Sequence, residues 1–251
     1  MSRAPKLPRN VVAFDSVDST NAEAGRLAAA GAADGTLVWA RQQTAGYGRR
    51  GRAWVSPPGN LYCSLILRPG CPPIRAAQLG FVAALALAEA VDDILPPASE
   101  LAFKWPNDIL MNRRKVAGIL LESSSGETGE LDWLILGLGV NIESFPDGVE
   151  FPATSLKAEG CGGASVIAVL EAYGRCFQAW SERWRGQGFE PVRAAWLGRA
   201  VGVGEAIEAR LPTETLSGRF AELDADGALV MELEDGRRRT VTAADVFALA
   251  A

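Results

Sequence analysis

The sequence predicts an α+β protein: a mixed sheet with packed helices, followed by a small C-terminal β-barrel. Strand-like and helix-like segments are interspersed from Val11 to Leu197. After Leu197 the texture changes to polar/apolar alternation, with D-G and E-D-G turns every eight to twelve residues. The 251 residues are 48% hydrophobic and 22% charged, enough for a buried core in one large or two unequal units. We therefore divide the chain into residues 1–197 and 198–251.

The elements follow in order. Val11–Phe14 reads as a short strand, and a helix follows it, with Thr20 and Glu23 as a T-x-x-E capping box and Gly31 as its stop. Gly35–Arg41 and Asn60–Pro69 are strands by their β-branched and aromatic content, with a Gly/Arg loop between them. Pro73–Leu95 is a long, largely apolar helix destined for the core. "ELAFKWPNDILMNRRKVAGILLESSS" gives strands separated by W-P-N-D and N-R-R-K turns, and Glu130–Ile142 is a strand ending at a double-glycine turn. Positions 166, 169, 170, 173, 177, 180 and 184 step by threes and fours, which marks an amphipathic helix over Ser165–Gly186. A short helix covers Pro191–Leu197.

Composition excludes whole classes of chemistry. With no histidine, the chain has no Ser-His-Asp, Cys-His or His-metal mechanism, so proton transfer falls to Lys, Asp, Glu, Tyr or the substrate. The 25 basic and 30 acidic residues leave a net charge of -5, against a general polyanion binder. Four cysteines without a C-x-x-C pair argue against a zinc site or a disulfide frame and fit a reducing cytosol. "MSRAPKLPRN" has no apolar signal core, and "FVAALALAEAV" is far shorter than the roughly 20 residues of a membrane span. We expect a cytoplasmic protein with no membrane partner.

"AGYGRRGRAW" contains Gly46-x-Gly48-x-x-Gly51, the spacing of a dinucleotide-binding turn. That motif must open a helix and be followed by an acidic residue about 20 positions on. Here "RAWVSPPGN" follows, and no acidic residue occurs from Ala53 to Gln78, so the match is accidental. Glycines let a backbone approach a ligand closely, and Arg49, Arg50 and Arg52 bring fork-shaped donors that suit phosphate. Trp54 adds an aromatic plane, so the loop fits a nucleotide. Lys104, Asn107 and Asp108 in "KWPNDIL" read either as a plain turn or as a polar site. Lys115 begins an apolar strand, either snorkelling or facing a pocket. Asn141 in "GLGVNI" is either a strand-end turn or a base contact. "DSTN" (Asp18–Asn21) caps a helix whose free N-terminus also attracts polar ligands.

"DSTN", "QTAGYGRRGRAWVSPPGNLY", "KWPNDIL", "KVAGILLES" and "GLGVNI", in this order and spacing, resemble the bacterial biotin–protein ligases over residues 11 to 248. The resemblance implies a class II aminoacyl-tRNA-synthetase-like catalytic fold and an SH3-like C-terminal barrel. It implies formation of biotinyl-5'-AMP from biotin and ATP with Mg²⁺, then transfer of biotin to a lysine of a biotin carboxyl carrier protein. Ser19, Thr20, Asn21 and Gln43 are then expected on the biotin ring, with Gly46, Tyr47, Gly48 and Arg49 wrapping it and Gly118 packing against it. Arg49, Arg50, Arg52 and Lys104 are expected on phosphates, and Trp54, Asn107 and Asn141 on the adenine side. Lys115 is expected on the carboxylate and α-phosphate, and Asp108 serves either Mg²⁺ or the incoming lysine.

The family usually has arginine where this chain has Tyr47; we expect that arginine to act through its backbone, so that little changes. Only about ten residues precede the first strand, so we expect no DNA-binding domain and no DNA partner. A lipoate or octanoate ligase or transferase of the same fold is the alternative reading. It is disfavoured because Ser19–Asn21 with Gln43 suits a compact polar ring, and because the cysteines lack a glycine-lysine setting. An exposed sheet edge leaves a homodimer open.

Overall fold

The computed structural model describes residues 10–126 and 129–248. The larger part contains β1 (Asn10–Phe14), α1 (Thr20–Ala29), β2 (Thr36–Ala40), β3 (Leu61–Leu67), α2 (Pro73–Ala77) and α3 (Leu79–Asp92). It continues through β4 (Leu101–Lys104), β5 (Asp108–Met111), β6 (Arg114–Ser125), β7 (Leu131–Val140), α4 (Val166–Gln187) and α5 (Glu190–Leu197). Its strands lie in the order β1-β2-β3-β7-β6-β5-β4. The β1–β2 pairing is parallel and the others are antiparallel, so the sheet is mixed as expected.

Both faces of this sheet are covered. On one, Ala24 and Ala28 of α1 pack on Val38, Ile66 and Ile135, the outward residues of β2, β3 and β7. On the other lies the main core, centred on α3 and joined by α4 and α5. Helix α3 is apolar nearly all round, the pattern of a helix enclosed on every side. By length and mean hydropathy (1.5) the Pro73–Asp92 run could cross a membrane, but 67% of that window is buried inside the protein. Its Phe81 meets Trp196 of α5 edge-on at 5.2 Å, and Trp196 stacks on Phe103 of β4 at 5.7 Å. Helix α4 buries Val169, Tyr173, Phe177 and Trp184 along the expected stripe.

The second sheet comprises β8 (Ala206–Arg210), β9 (Thr215–Leu223), β10 (Leu229–Leu233), β11 (Arg238–Val241) and β12 (Asp245–Ala248). It is antiparallel throughout, in the order β11-β10-β9-β8-β12. It docks through backbone groups. Trp105 Nε1 donates to the Gly227 carbonyl at 3.1 Å, and Arg193 Nε to that of Leu223 at 2.8 Å. A Cβ at Gly227 would fall 2.7 Å from the Phe81 ring, so a glycine is needed for this close approach.

Three local expectations are corrected. The long helix breaks at Gln78 into α2 and α3, and Gln78 Oε1 accepts a hydrogen bond from Trp184 Nε1 at 2.8 Å. Helix α1 is capped by Ser19, whose hydroxyl accepts from Ala22 N–H, one residue before the expected cap. Glu23 pairs with Arg26 instead of closing a capping box. Strand β7 runs through Gly137 and Gly139 to Val140, because glycines two apart on a strand share a face and need not turn the chain.

Just past β7, Asn60 fixes the chain carrying Asn141. Its Oδ1 accepts from the N–H groups of Ile142, Glu143 and Ser144 at 2.8, 2.9 and 3.2 Å. Asn60 is 2% exposed, so Asn60→Ala leaves three backbone donors without this acceptor. Each unmade buried bond costs about 1–3 kcal/mol, and water returns part of it. Denaturant unfolding is expected to show a loss of about 2–4 kcal/mol; a loss under about 1 kcal/mol would contradict this role.

Candidate active site

The site begins at the N-terminal end of α1, where Ser19, Thr20 and Asn21 line it. Beyond Ile66 and Ile135 the same sheet face continues through Ser64 paired with Gly137, then through Tyr62, Gly139, Gly118 and Asp108, register partners across β3, β7, β6 and β5. Three glycines leave this strip without side chains. Asn21 lies over Gly137, and the Trp54 indole lies over Gly139 and Gly118: a Cβ at Gly139 would fall 2.7 Å from indole atoms. Above the strip opens a cavity of about 360 Å³.

One end of the cavity is a neutral hydrogen-bonding wall. Gln43 Oε1 accepts from Thr20 N–H at 2.8 Å and from the Thr20 hydroxyl at 3.1 Å, while Gln43 Nε2 donates to Ser56 Oγ at 2.8 Å. Asn21 Oδ1 accepts from the Ser64 hydroxyl at 2.6 Å, and Asn21 Nδ2 donates to Glu122 at 2.7 Å. The Tyr47 phenol also donates to Glu122, at 3.0 Å. Burial, then the Glu122 charge, raises the Tyr47 pKa. Tyr47 is thus anchored through its phenol, and its side chain is not idle.

The other end is cationic. Lys115 Nζ lies 2.6 Å from Asp108 Oδ1 and 5.3 Å from the centre of the Trp54 ring. The Lys115 backbone is fixed by its N–H to the Pro152 carbonyl and its carbonyl to Thr154 N–H, at 2.7 and 2.9 Å. Lys104 Nζ sits 4.2 Å from the Phe151 ring centre and 5.1 Å from that of Phe247. Burial lowers the Lys104 pKa; Lys115 pulls the same way and Asp108 opposes. Burial likewise lowers that of Arg49, whose Nη1 donates to the Ala244 carbonyl at 3.2 Å and to Asn107 Oδ1 at 3.4 Å.

Of the residues singled out in the sequence, all but Gly46 and Arg50 line this one cavity. Gly46 lies behind the wall, where a Cβ would fall 2.6–2.7 Å from Ser56, Gln43 and Trp54. Arg50 turns away to Asp245. Asn107 and Asn141 reach the cavity, but both side-chain amides already donate to backbone, to Ile119 at 2.7 Å and Thr154 at 3.0 Å. Sequence reasoning missed Ser64, Glu122, Gly137, Gly139, Phe151, Asp245 and Phe247. The period-two glycines of "LGLGV" were the available signal for two of them.

A family model described as the biotin/lipoate A/B protein ligase family matches residues 51–198, and one described as the biotin protein ligase C-terminal domain matches 202–249. The biotin–[acetyl-CoA-carboxylase] ligase of Paracoccus denitrificans is 45% identical over 92% of this chain and 97% of its own length. The chain belongs to the biotin protein ligase family. The bifunctional ligase/repressor BirA of Bacillus subtilis is 33% identical, over 94% of this chain and 73% of that protein. Among solved structures, the Aquifex aeolicus biotin protein ligase in complex with biotin and ATP superposes with a TM-score of 0.80. That match has 26% identity and covers 96% of this chain and all of that one. The Leishmania major ligase in complex with biotinyl-5-AMP gives 0.65 at 28% identity, over 94% of this chain and 100% of that one.

The geometry at Lys104 has a measurable consequence. Its carbon-13 methylated amine should titrate below the ordinary lysine range by NMR. Asp108→Asn should lower it further, because the opposing negative charge is lost and Lys115 is left uncompensated. An unchanged or raised midpoint in the variant would contradict the arrangement.

Proposed function

We propose that the chain is an ATP-dependent ligase that joins biotin to the α-phosphate of ATP and then passes the biotinyl group to a lysine of a biotin carboxyl carrier protein. One observation carries this reading: a neutral, hydrogen-bonding wall and a cationic end that includes Lys115 line a single cavity. A ring with urea-like donors and acceptors suits Ser19, Thr20, Asn21 and Gln43. Trp54 Nε1 is buried without a hydrogen-bond partner against the glycine strip.

The first step brings together two anions, a carboxylate and a triphosphate. A biotin carboxylate oxygen attacks the α-phosphorus, and the bond to the pyrophosphate oxygen breaks. Lys115, Arg49 and Lys104 supply positive charge that needs no reorganisation as the new bond forms. Asp108 keeps the Lys115 ammonium aimed across the cavity. In the second step the carrier amine attacks the acyl carbon and AMP departs. Without histidine, Asp108 is the carboxylate placed to take the proton that the incoming amine gives up. The described residues group no three Asp, Glu or Cys that would cage a divalent ion. We therefore assign Mg²⁺ to ATP itself, held mainly by phosphate oxygens. The four cysteines are free, in keeping with a reducing cytoplasm.

Mass spectrometry of a carrier domain after incubation with the protein, ATP and biotin should show one added biotin. Lys115→Ala should lower the rate about 100-fold or more while the melting temperature stays near wild type; near-normal turnover would sink the assignment. Gly139→Ala must displace the indole and is expected to weaken biotin binding at least tenfold by calorimetry, with the fold intact. Unchanged affinity would place biotin away from the glycine strip.

A further inference from the structure

The three arginines of the loop are not equally free. All are held by the second sheet. The Ala244 carbonyl accepts from Arg49 Nη1 at 3.2 Å, and the Arg210 carbonyl from Arg50 Nη2 at 3.3 Å. The one anion in the set is Asp245, the first residue of β12. Its carboxylate side chain, 13% exposed, pairs with Arg50 Nη1 at 2.8 Å and also with Arg52 Nη2. Asp245 and Arg52 both line the cavity. Two residues on, and so on the same side of the strand, Phe247 offers Lys104 an aromatic face in place of a carboxylate. Strand β12 thus sets one carboxylate against the arginine pair and an aromatic face against the lysine.

We propose that Asp245 is an internal anion that occupies the Arg50/Arg52 pair in the absence of nucleotide, competes with the triphosphate for it, and hastens pyrophosphate departure. The inference rests on the ATP reading above. A carboxylate and a phosphate oxygen use the same fork of guanidinium donors, so the edge that binds Asp245 is withheld from phosphate. A carboxylate left beside the bound triphosphate also repels it. Asp245 touches no reacting atom and is a positioning residue. A merely structural latch predicts the opposite sign: its loss would loosen the loop and weaken ATP binding.

The test uses the full chain, saturating biotin, a saturating carrier domain and a coupled assay of pyrophosphate release. Asp245→Asn is expected to lower the KM for ATP at least threefold and to lower kcat, because pyrophosphate lingers. Asp245→Glu, which keeps the charge, should bring both back toward wild type. A folded Asp245→Asn protein with an unchanged or raised KM overturns the proposal, and Asp245→Ser serves the same comparison should the asparagine variant not fold. If the wild type releases no pyrophosphate, the functional reading fails. Calorimetric titration with inorganic pyrophosphate then still decides this point: binding at least threefold tighter to Asp245→Asn supports the internal competitor, and equal or weaker binding rejects it.

Discussion

A sheet that must bury its face yet leave part of it bare is the constraint on which the rest of this structure depends. Along β3, β7 and β6 the residues facing α1 change from Ile66 and Ile135 to Ser64 and Gly137, and then to Tyr62, Gly139 and Gly118. The first pair makes core and the last row makes floor. Because side chains alternate along a strand, one row can serve the cavity while its neighbours, Leu136, Leu138 and Val140, remain in the main core on the opposite face. The pocket therefore comes with little loss of packing. The side chains that enter the bare strip arrive from a helix start and a loop: Asn21 is held by Ser64 of β3 and Glu122 of β6, and Trp54 by the hydrogen bonds of its backbone to Ser56 and Gly46.

Charge is distributed around that floor with the same economy. A cation withdrawn from water is costly unless it is paired or stacked. Each one here has a different arrangement: Lys115 with Asp108, Lys104 between two aromatic rings, Arg49 on carbonyl oxygens, Arg50 and Arg52 on one carboxylate. Most of these partners are weaker acceptors than a phosphate dianion, so the cations stay ordered without being saturated. The chain as a whole is net negative at -5, while the cavity lining gathers Arg49, Arg52, Lys104 and Lys115 beside Asp108, Glu150 and Asp245.

Much of this was legible in the amino-acid sequence because it depends on local rules. The stripe from Val169 to Trp184 marks a helix whatever it packs on, and the Pro/Gly/Asn/Asp turns around "KWPNDIL" and "NRRK" separate strands by their own chemistry. The loop arginines and Lys115 were legible as residue types that gather on phosphates. What was not legible depends on docking. That Asp245 and Phe247 face the cavity follows from how the second sheet sits on Trp105 and Arg193, a relation between segments more than a hundred residues apart in one case. The α1 cap was ambiguous for another reason: in Asp18-Ser19-Thr20 any of the three can cap, and only the pull of Gln43 and Ser64 on Thr20 decides for Ser19.

That pull also ties the two ends of the site together. Thr20 is held by Gln43, Gln43 by Ser56, and Ser56 donates to the Trp54 carbonyl at 2.7 Å, so the polar wall and the aromatic lid over the glycines share one chain of bonds. Trp54 N–H in turn reaches the Gly46 carbonyl at 2.9 Å, at the foot of the arginine loop. The neutral wall and the backbone from which Arg49 projects are therefore joined by one continuous run of bonded neighbours.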